Sequence, residues 1–246
     1  MKYVHLCLTY SDFQDASSNL LDTDPFVSYT DDGFDLVTYS PPLSDLQTAA
    51  NGYNYVDLGL PSGTLWATCN VGANSSTEIG DFFNFGCVEP YTSLELNDYK
   101  WYSNGEYTKY NDVDGKLILD LEDDAANYNM GGEWHMPTSK QVIELKNNTT
   151  ITYSGNNMKF TSNVDSSKYI ILPAGNAMGT GSSYLSKRPI IWTSSLGGVN
   201  YYYKSIMFHC YNIPPTTETI YRYAACNVRG VLDRGRIFHN KPELAK

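Results

Sequence analysis

Glycine, asparagine and proline interrupt this chain so often that only one segment keeps the full signature of a helix. That segment is MPTSKQVIELKNN, residues 136–148. Thr138 is suited to be its N-cap, and Val142, Ile143 and Leu145 are spaced to supply a buried face. A shorter, acidic helix is expected to open in LEDDAANYNMGGEW, 121–134, with Asp123 and Asp124 early, where the helix dipole favours negative charge. Elsewhere the apolar runs are brief. YVDLGLPSGTLWATC reads as a hairpin, and TYSGNNMKFTSN, YIILPA, PIIWTSS and YAACNVRGV read as strands with loops between them. Few helices among many short strands imply an α+β domain with long irregular loops.

The first fifty residues differ in character. PFVSYTDDGFDLVTY, 25–39, alternates on both sides of Asp-Asp-Gly, a hairpin signal, and SPPLSDLQTAANG, 40–52, reads as a linker. The expected division is therefore a small β-rich element over 1–50 and a main domain over 51–246. The N-terminal run is broken by His5, Asp12 and Asp15, so no classical signal peptide is read there, and no stretch reaches the roughly 18 apolar residues of a membrane span.

A net charge of -10 excludes nucleic acid as the main ligand, because phosphate neutralisation needs clustered Lys and Arg. The densest basic spots, SKRP and DRGR, are short and are expected to pair with carboxylates of the same molecule. Five cysteines without a CxxC fit reduced, buried thiols; if any two were to bridge, Cys210 and Cys226 would be the pair.

The richest segment is VNYYYKSIMFHCYNI, Val199 to Ile213. A two-residue period puts Tyr202, Ile206, Phe208 and Cys210 on one side and Tyr201, Tyr203, Ser205, Met207, His209 and Tyr211 on the other. The first set reads as core. The second mixes large rings with hydroxyls, a combination suited to contact surfaces. The alternative is a Tyr-rich sheet covered by the domain's own loops. Because Tyr, Ser, His and Asn recur there opposite a credible core face, the expectation is one solvent-facing patch. It comprises Tyr201, Tyr203, Ser205, His209 and Tyr211, joined by Tyr221, Tyr223 and Asn227, with Ile206, Phe208 and Val228 inside.

YVDLGLPSGTLWATCNVGA, DDAANYNMGGEWHMPT, YIILPAGN, IWTSS and YRYAACNVRGV stand in an order and spacing that resembles the Fibrobacter succinogenes major paralogous domain, common in gut Bacteroidales and their phages. The resemblance covers about 51–232. It implies a C-type-lectin-like fold, similar to that of the formylglycine-generating enzymes and of the variable proteins of diversity-generating retroelements, whose C-terminal part carries the diversified binding face. Trp66, Trp134 and Trp192 are then loop anchors in the core. Arg222 and Arg229 match arginines of the family's closing strand, where a five-donor guanidinium can hold several carbonyls. Residues 1–50 have no counterpart in the family and suggest docking to a virion or to further copies.

The resemblance also raises calcium, which lectin-like folds often use. Asp112, Asp114 and Gly115 have the phase of an EF-hand loop, but Tyr110 and Leu121 occupy its first and last positions, so that reading fails. No Trp-Asn-Asp accompanies Glu89-Pro90, so a sugar-binding calcium site is not supported. A structural calcium on some of Asp112, Asp114, Asp120, Asp123 and Asp124 stays open, and no other cofactor is expected. GxSxG, HExxH and P-loop motifs are absent, and the four histidines have no metal-ligand spacing. The expected function is non-catalytic binding of a host-cell surface protein or glycan, on a phage tail or a bacterial surface. A pilus-associated adhesion or structural protein is the first alternative, and a formylglycine-generating-type enzyme the second.

Overall fold

The computed structural model describes residues 52–175, 188–198, 204–210 and 213–234, and the backbone of 26–30 and 33–37. The chain divides into two units, Met1–Leu46 and Gln47–Lys246. In the first, β1 (Phe26–Thr30) and β2 (Gly33–Val37) pair antiparallel with Thr30 opposite Gly33, the hairpin that Asp-Asp-Gly predicts. The linker read over 40–52 lies, but for Gly52, outside the described residues.

Among its described residues the second unit is mixed α+β, mostly strands in several small sheets with two α-helices. Its strands are β3 (Tyr55–Asp57), β4 (Leu65–Asn70), β5 (Phe82–Asn84), β6 (Tyr102–Ser103), β7 (Glu106–Tyr107), β8 (Thr149–Ser154), β9 (Asn157–Ser162) and β10 (Tyr169–Leu172), then β11 (Ile190–Leu196), β12 (Lys204–His209), β13 (Thr216–Tyr221), β14 (Ala225–Asn227) and β15 (Arg229–Leu232). Helix α1 spans Ala125–Met130 and α2 spans Ser139–Asn147. Thr138 and Gln141 close a reciprocal capping box at the start of α2, whose buried residues are Val142 and Leu145. Ile143 was expected on that face but is 40% exposed, because one helical step turns it about 100° away from Val142. The acidic opening of α1 is a single 3-10 turn, Leu121–Asp123; the helix itself begins after Asp124, whose carboxylate accepts from the Ala126 and Asn127 amides.

The largest sheet runs β13-β12-β11-β14-β5, and every residue of its middle strand β11 is buried. Successive β11 residues serve different cores. Trp192, Met207, Ile220, Cys226 and Val228 belong to one apolar cluster, while Ile191, Phe208 and Cys210 belong to another that includes Val142, Leu145, Phe160 and Leu172. With both faces covered, the sheet requires near-continuous apolar strands rather than alternation. That is why the described part of the run, Lys204 to Cys210, has no clean period. It also corrects the face assignment: Met207 is buried, and Ile206 is only half-buried.

Two three-stranded sheets, β15-β4-β3 and β10-β9-β8, and the short pair β6-β7 make up the other described sheets of this unit. Arg229, fully buried, donates to Asn70 Oδ1 at 2.8 Å, to the Ala67 carbonyl at 2.7 Å and to the Ile171 carbonyl at 2.9 Å, joining the two three-stranded sheets. Burial alone pushes its pKa down to about 10. Trp66, Trp134 and Trp192 are all in the core, and Trp192 Nε1 donates to the Phe83 carbonyl at 2.7 Å. Trp134 packs so closely on Gly230 that a Cβ there would lie 3.0 Å from its ring and 2.6 Å from Met130 Sδ.

Candidate functional site

Directly opposed residues of an antiparallel pair share a face. The register sets Lys204 opposite Tyr221, Ile206 opposite Thr219 and Phe208 opposite Thr217, so Tyr221 stands on the Phe208 face. Near Tyr221 that face emerges from the core. The Lys204 ammonium lies 5.4 Å from the centroid of the Tyr221 ring, and Tyr221 and Tyr223 stack with centroids 5.3 Å apart at 17°. Tyr221 is 47% exposed and Tyr223 half-buried.

The residue between them explains why both rings stay outside. Arg222 is fully buried, donating to the Tyr99 hydroxyl at 3.1 Å and to the carbonyls of Tyr110 and Lys109 at 3.2 and 3.0 Å. The rings of Tyr107, Tyr99, Tyr110 and Phe85 surround its guanidinium at 4.8 to 5.8 Å. A turn from Tyr221 to Ala224, closed by a 3.0 Å backbone bond, then sends the flanking tyrosines outward. Beside this end of the sheet a cleft of about 80 Å³ is lined by Asn111, Asp112, Lys116, Leu117, Leu196 and Gly198. The Gly197 amide donates to the Lys204 carbonyl at 3.0 Å, which brings the cleft next to β12.

The expected single patch does not form among the described residues. His209 lies at the far end of β12, on the opposite face from Tyr221, with Nδ1 3.3 Å from Glu218 Oε1. Ser205 is fully buried because its face is covered by the cluster containing Met207 and Ile220, and its hydroxyl has no hydrogen-bond partner. Asn227 is buried too. Its amide donates to the carbonyls of Ile79 and Asp81 at 3.0 and 2.9 Å, pinning a loop that β14 and β5 need. Tyr201, Tyr203 and Tyr211 lie outside the described residues. Lys204 was missed by sequence reasoning. A charge in the phase of Ile206 and Phe208 was the available sign that this face surfaces at the strand's start.

The aspartates considered for calcium have separate tasks. Asp114 accepts from the amides of Tyr110, Asn111 and Lys116, and Asp124 caps α1. Asp120, Glu122 and Asp123 do converge, around Lys109 Nζ at 2.9, 2.9 and 2.6 Å. The charge that a calcium ion would bring is already supplied there by an ammonium. Burial works against the Lys109 charge, but Asp123, Glu122 and Asp120 outweigh it and raise its pKa. Burial likewise opposes ionisation of Asp123, yet Lys109, the Tyr110 hydroxyl and Lys100 lower its pKa.

Cys210 and Cys226 are free and fully buried, and burial pushes both thiols well up. They were expected on neighbouring strands. Instead they sit in different apolar clusters, with β11 running between β12 and β14. Among the described residues no helix is long and apolar enough to cross a membrane.

No protein-family model matches the chain, and no curated protein or solved structure is significantly similar to it.

Proposed function

We propose that this protein is a non-catalytic receptor-binding protein of the Fibrobacter succinogenes major paralogous domain type, with a C-type-lectin-like second unit. It is carried by a phage or prophage and contacts a protein or glycan of the host surface. The observation that carries the reading is the Lys204, Tyr221 and Tyr223 cluster. It is an exposed stack of rings with a cation beside it, held by a fully buried arginine. Rigid tyrosines and a nearby charge give large contact area at small entropic cost. In this proposal residues 1–50 attach the protein to a virion or to further copies. The inert burial of Cys210 and Cys226 speaks against the formylglycine-generating alternative.

The test is attachment of purified protein to host cells. Replacing Tyr221 or Tyr223 by Ala should weaken it by on the order of 30-fold, the equivalent of about 2 kcal/mol for a binding hot spot, with the melting temperature nearly unchanged. Undiminished attachment would remove this surface from the function. Tail genes, a reverse transcriptase and a near-copy of the segment encoding roughly 184–233 beside the gene would support the phage reading; lipoprotein or pilus neighbours would favour the surface-adhesion alternative.

A further inference from the structure

His135 lies far from the tyrosine surface in the chain and plays no part in the function proposed above. It pairs with β15 as an isolated bridge, its amide donating to the Val231 carbonyl at 3.1 Å and its carbonyl accepting from Val231 at 2.8 Å. The ring is buried, with 8% of the residue exposed. Both ring nitrogens face oxygens that can only accept. Nδ1 is 2.9 Å from the Met136 carbonyl, so it must carry a hydrogen. Nε2 is 3.3 Å from Asp233 Oδ2, an ion contact rather than an aligned hydrogen bond. A neutral ring protonated on Nδ1 would turn a lone pair toward that carboxylate. Only the imidazolium makes both contacts attractive.

Asp233 is where the chain leaves β15. Its other oxygen, Oδ1, accepts from Gln141 Nε2 at 2.9 Å, and Gln141 is the residue that completes the capping box of α2. The next residue, Arg234, pairs with Asp57 at the end of β3. We propose that His135 is a pH-sensitive latch: the doubly protonated ring holds Asp233, at the exit of β15, against Gln141 at the start of α2, and the neutral ring releases it.

The groups acting on His135 come from each element around it. Asp233 follows β15, Asp124 opens α1, and α2 contributes only the neutral Gln141 through Asp233. Burial disfavours the charged ring, but Asp233, the Met136 carbonyl and Asp124 outweigh it, so the pKa is raised above 6.5. A raised folded-state pKa gives a contribution fully present below the unfolded value and lost as pH rises through the folded one. The latch is therefore closed at pH 6.5 and below, while Asp233 is ionised, and opens as pH rises through the raised folded-state value.

Nuclear magnetic resonance of the full chain, from roughly pH 5.5 to 8.5, tests this through the His135 ring signals and the amide exchange of Asp233 and Arg234, corrected for intrinsic pH dependence. The ring should titrate above 6.5, and exchange at the two amides should rise severalfold across that titration. Asp233→Asn keeps a partner for Gln141 but removes the charge; it should lower the ring's pKa and flatten the exchange profile. The proposal is overturned by a ring already neutral at the acid end in the wild type. A pH-dependent exchange profile unchanged in D233N would overturn it equally.

Discussion

The segments Phe82 to Asp124 and Ser139 to Leu172 both exclude water from their interiors, by different means. In the second, β8 and β9 pair over their whole length, β9 buries every other residue, and a capping box starts α2. Its interior is mainly apolar, with Val142, Leu145, Met158, Phe160, Ile170 and Leu172, and its buried Thr149 and Ser162 hydroxyls each donate to a single carbonyl. In the first, no strand exceeds three residues, so side chains, its own and that of Arg222, satisfy the backbone. Arg222 takes two carbonyls, the Tyr99 hydroxyl donates to Phe85 O at 2.6 Å, and Trp101 Nε1 donates to Gly86 O at 2.8 Å. Regular elements spread their stability over many equivalent contacts. A loop-built region concentrates it in a few long polar side chains.

The most direct way to break this comparison is to strike each segment at its centre. Arg222→Met should cost about 4 kcal/mol, since two buried carbonyls lose their donor at about 1–3 kcal/mol each. Phe160→Ala should cost a similar amount, about 4 kcal/mol, through lost transfer energy and a cavity. Urea denaturation measures both; an Arg222 variant within about 0.5 kcal/mol of wild type would mean that the loops hold themselves.

Lys109→Met sharpens the contrast, with an expected loss of about 3 kcal/mol, because buried Asp123 then faces Asp120 and Glu122 with Lys100 and the Tyr110 hydroxyl as its remaining partners. In the wild type the lowered pKa of Asp123 gives stability that is present above 3.8 and lost as pH falls through the folded value. Without Lys109 the three carboxylates repel, so the variant should gain on the wild type as pH falls toward about 4, whereas Phe160→Ala keeps the same deficit at every pH. Parallel melting curves across pH check this.

The smallest effect separates a buried hydroxyl from a binding contact. Ser205→Ala removes an unpartnered oxygen from the sheet interior, so stability should stay within about 0.5 kcal/mol of wild type or rise slightly, with attachment unchanged. A loss of attachment would restore Ser205 to the surface.

What the sequence disclosed follows the same division. Thr138, Val142 and Leu145 announced α2, and alternation announced β9, because local geometry dictates both. The buried tryptophans were legible from their size and turn-forming neighbours. Ser205 and Met207 were not, because a two-residue period separates the faces of a strand without saying whether both are covered; methionine among the supposedly outward residues was the one warning. The grip of Arg222 on Lys109 and Tyr110 spans more than a hundred residues and leaves no local trace. Asn227 has the composition of a contact residue and the position of a structural one. Lys204 entered the candidate surface only through its register with Tyr221.

The pairing of β15 with β4 has a consequence for synthesis. Trp66 and Leu65 lie opposite Val231 and Leu232, partners about 160 residues later in the chain. At about 5–20 residues per second, β4 waits on the order of 10 to 30 seconds at the ribosome before the strand that covers it exists. During that time a fully apolar Leu-Trp-Ala edge is open to other chains. Slowing the ribosome between residues 70 and 229 should therefore raise aggregation without altering the finished fold.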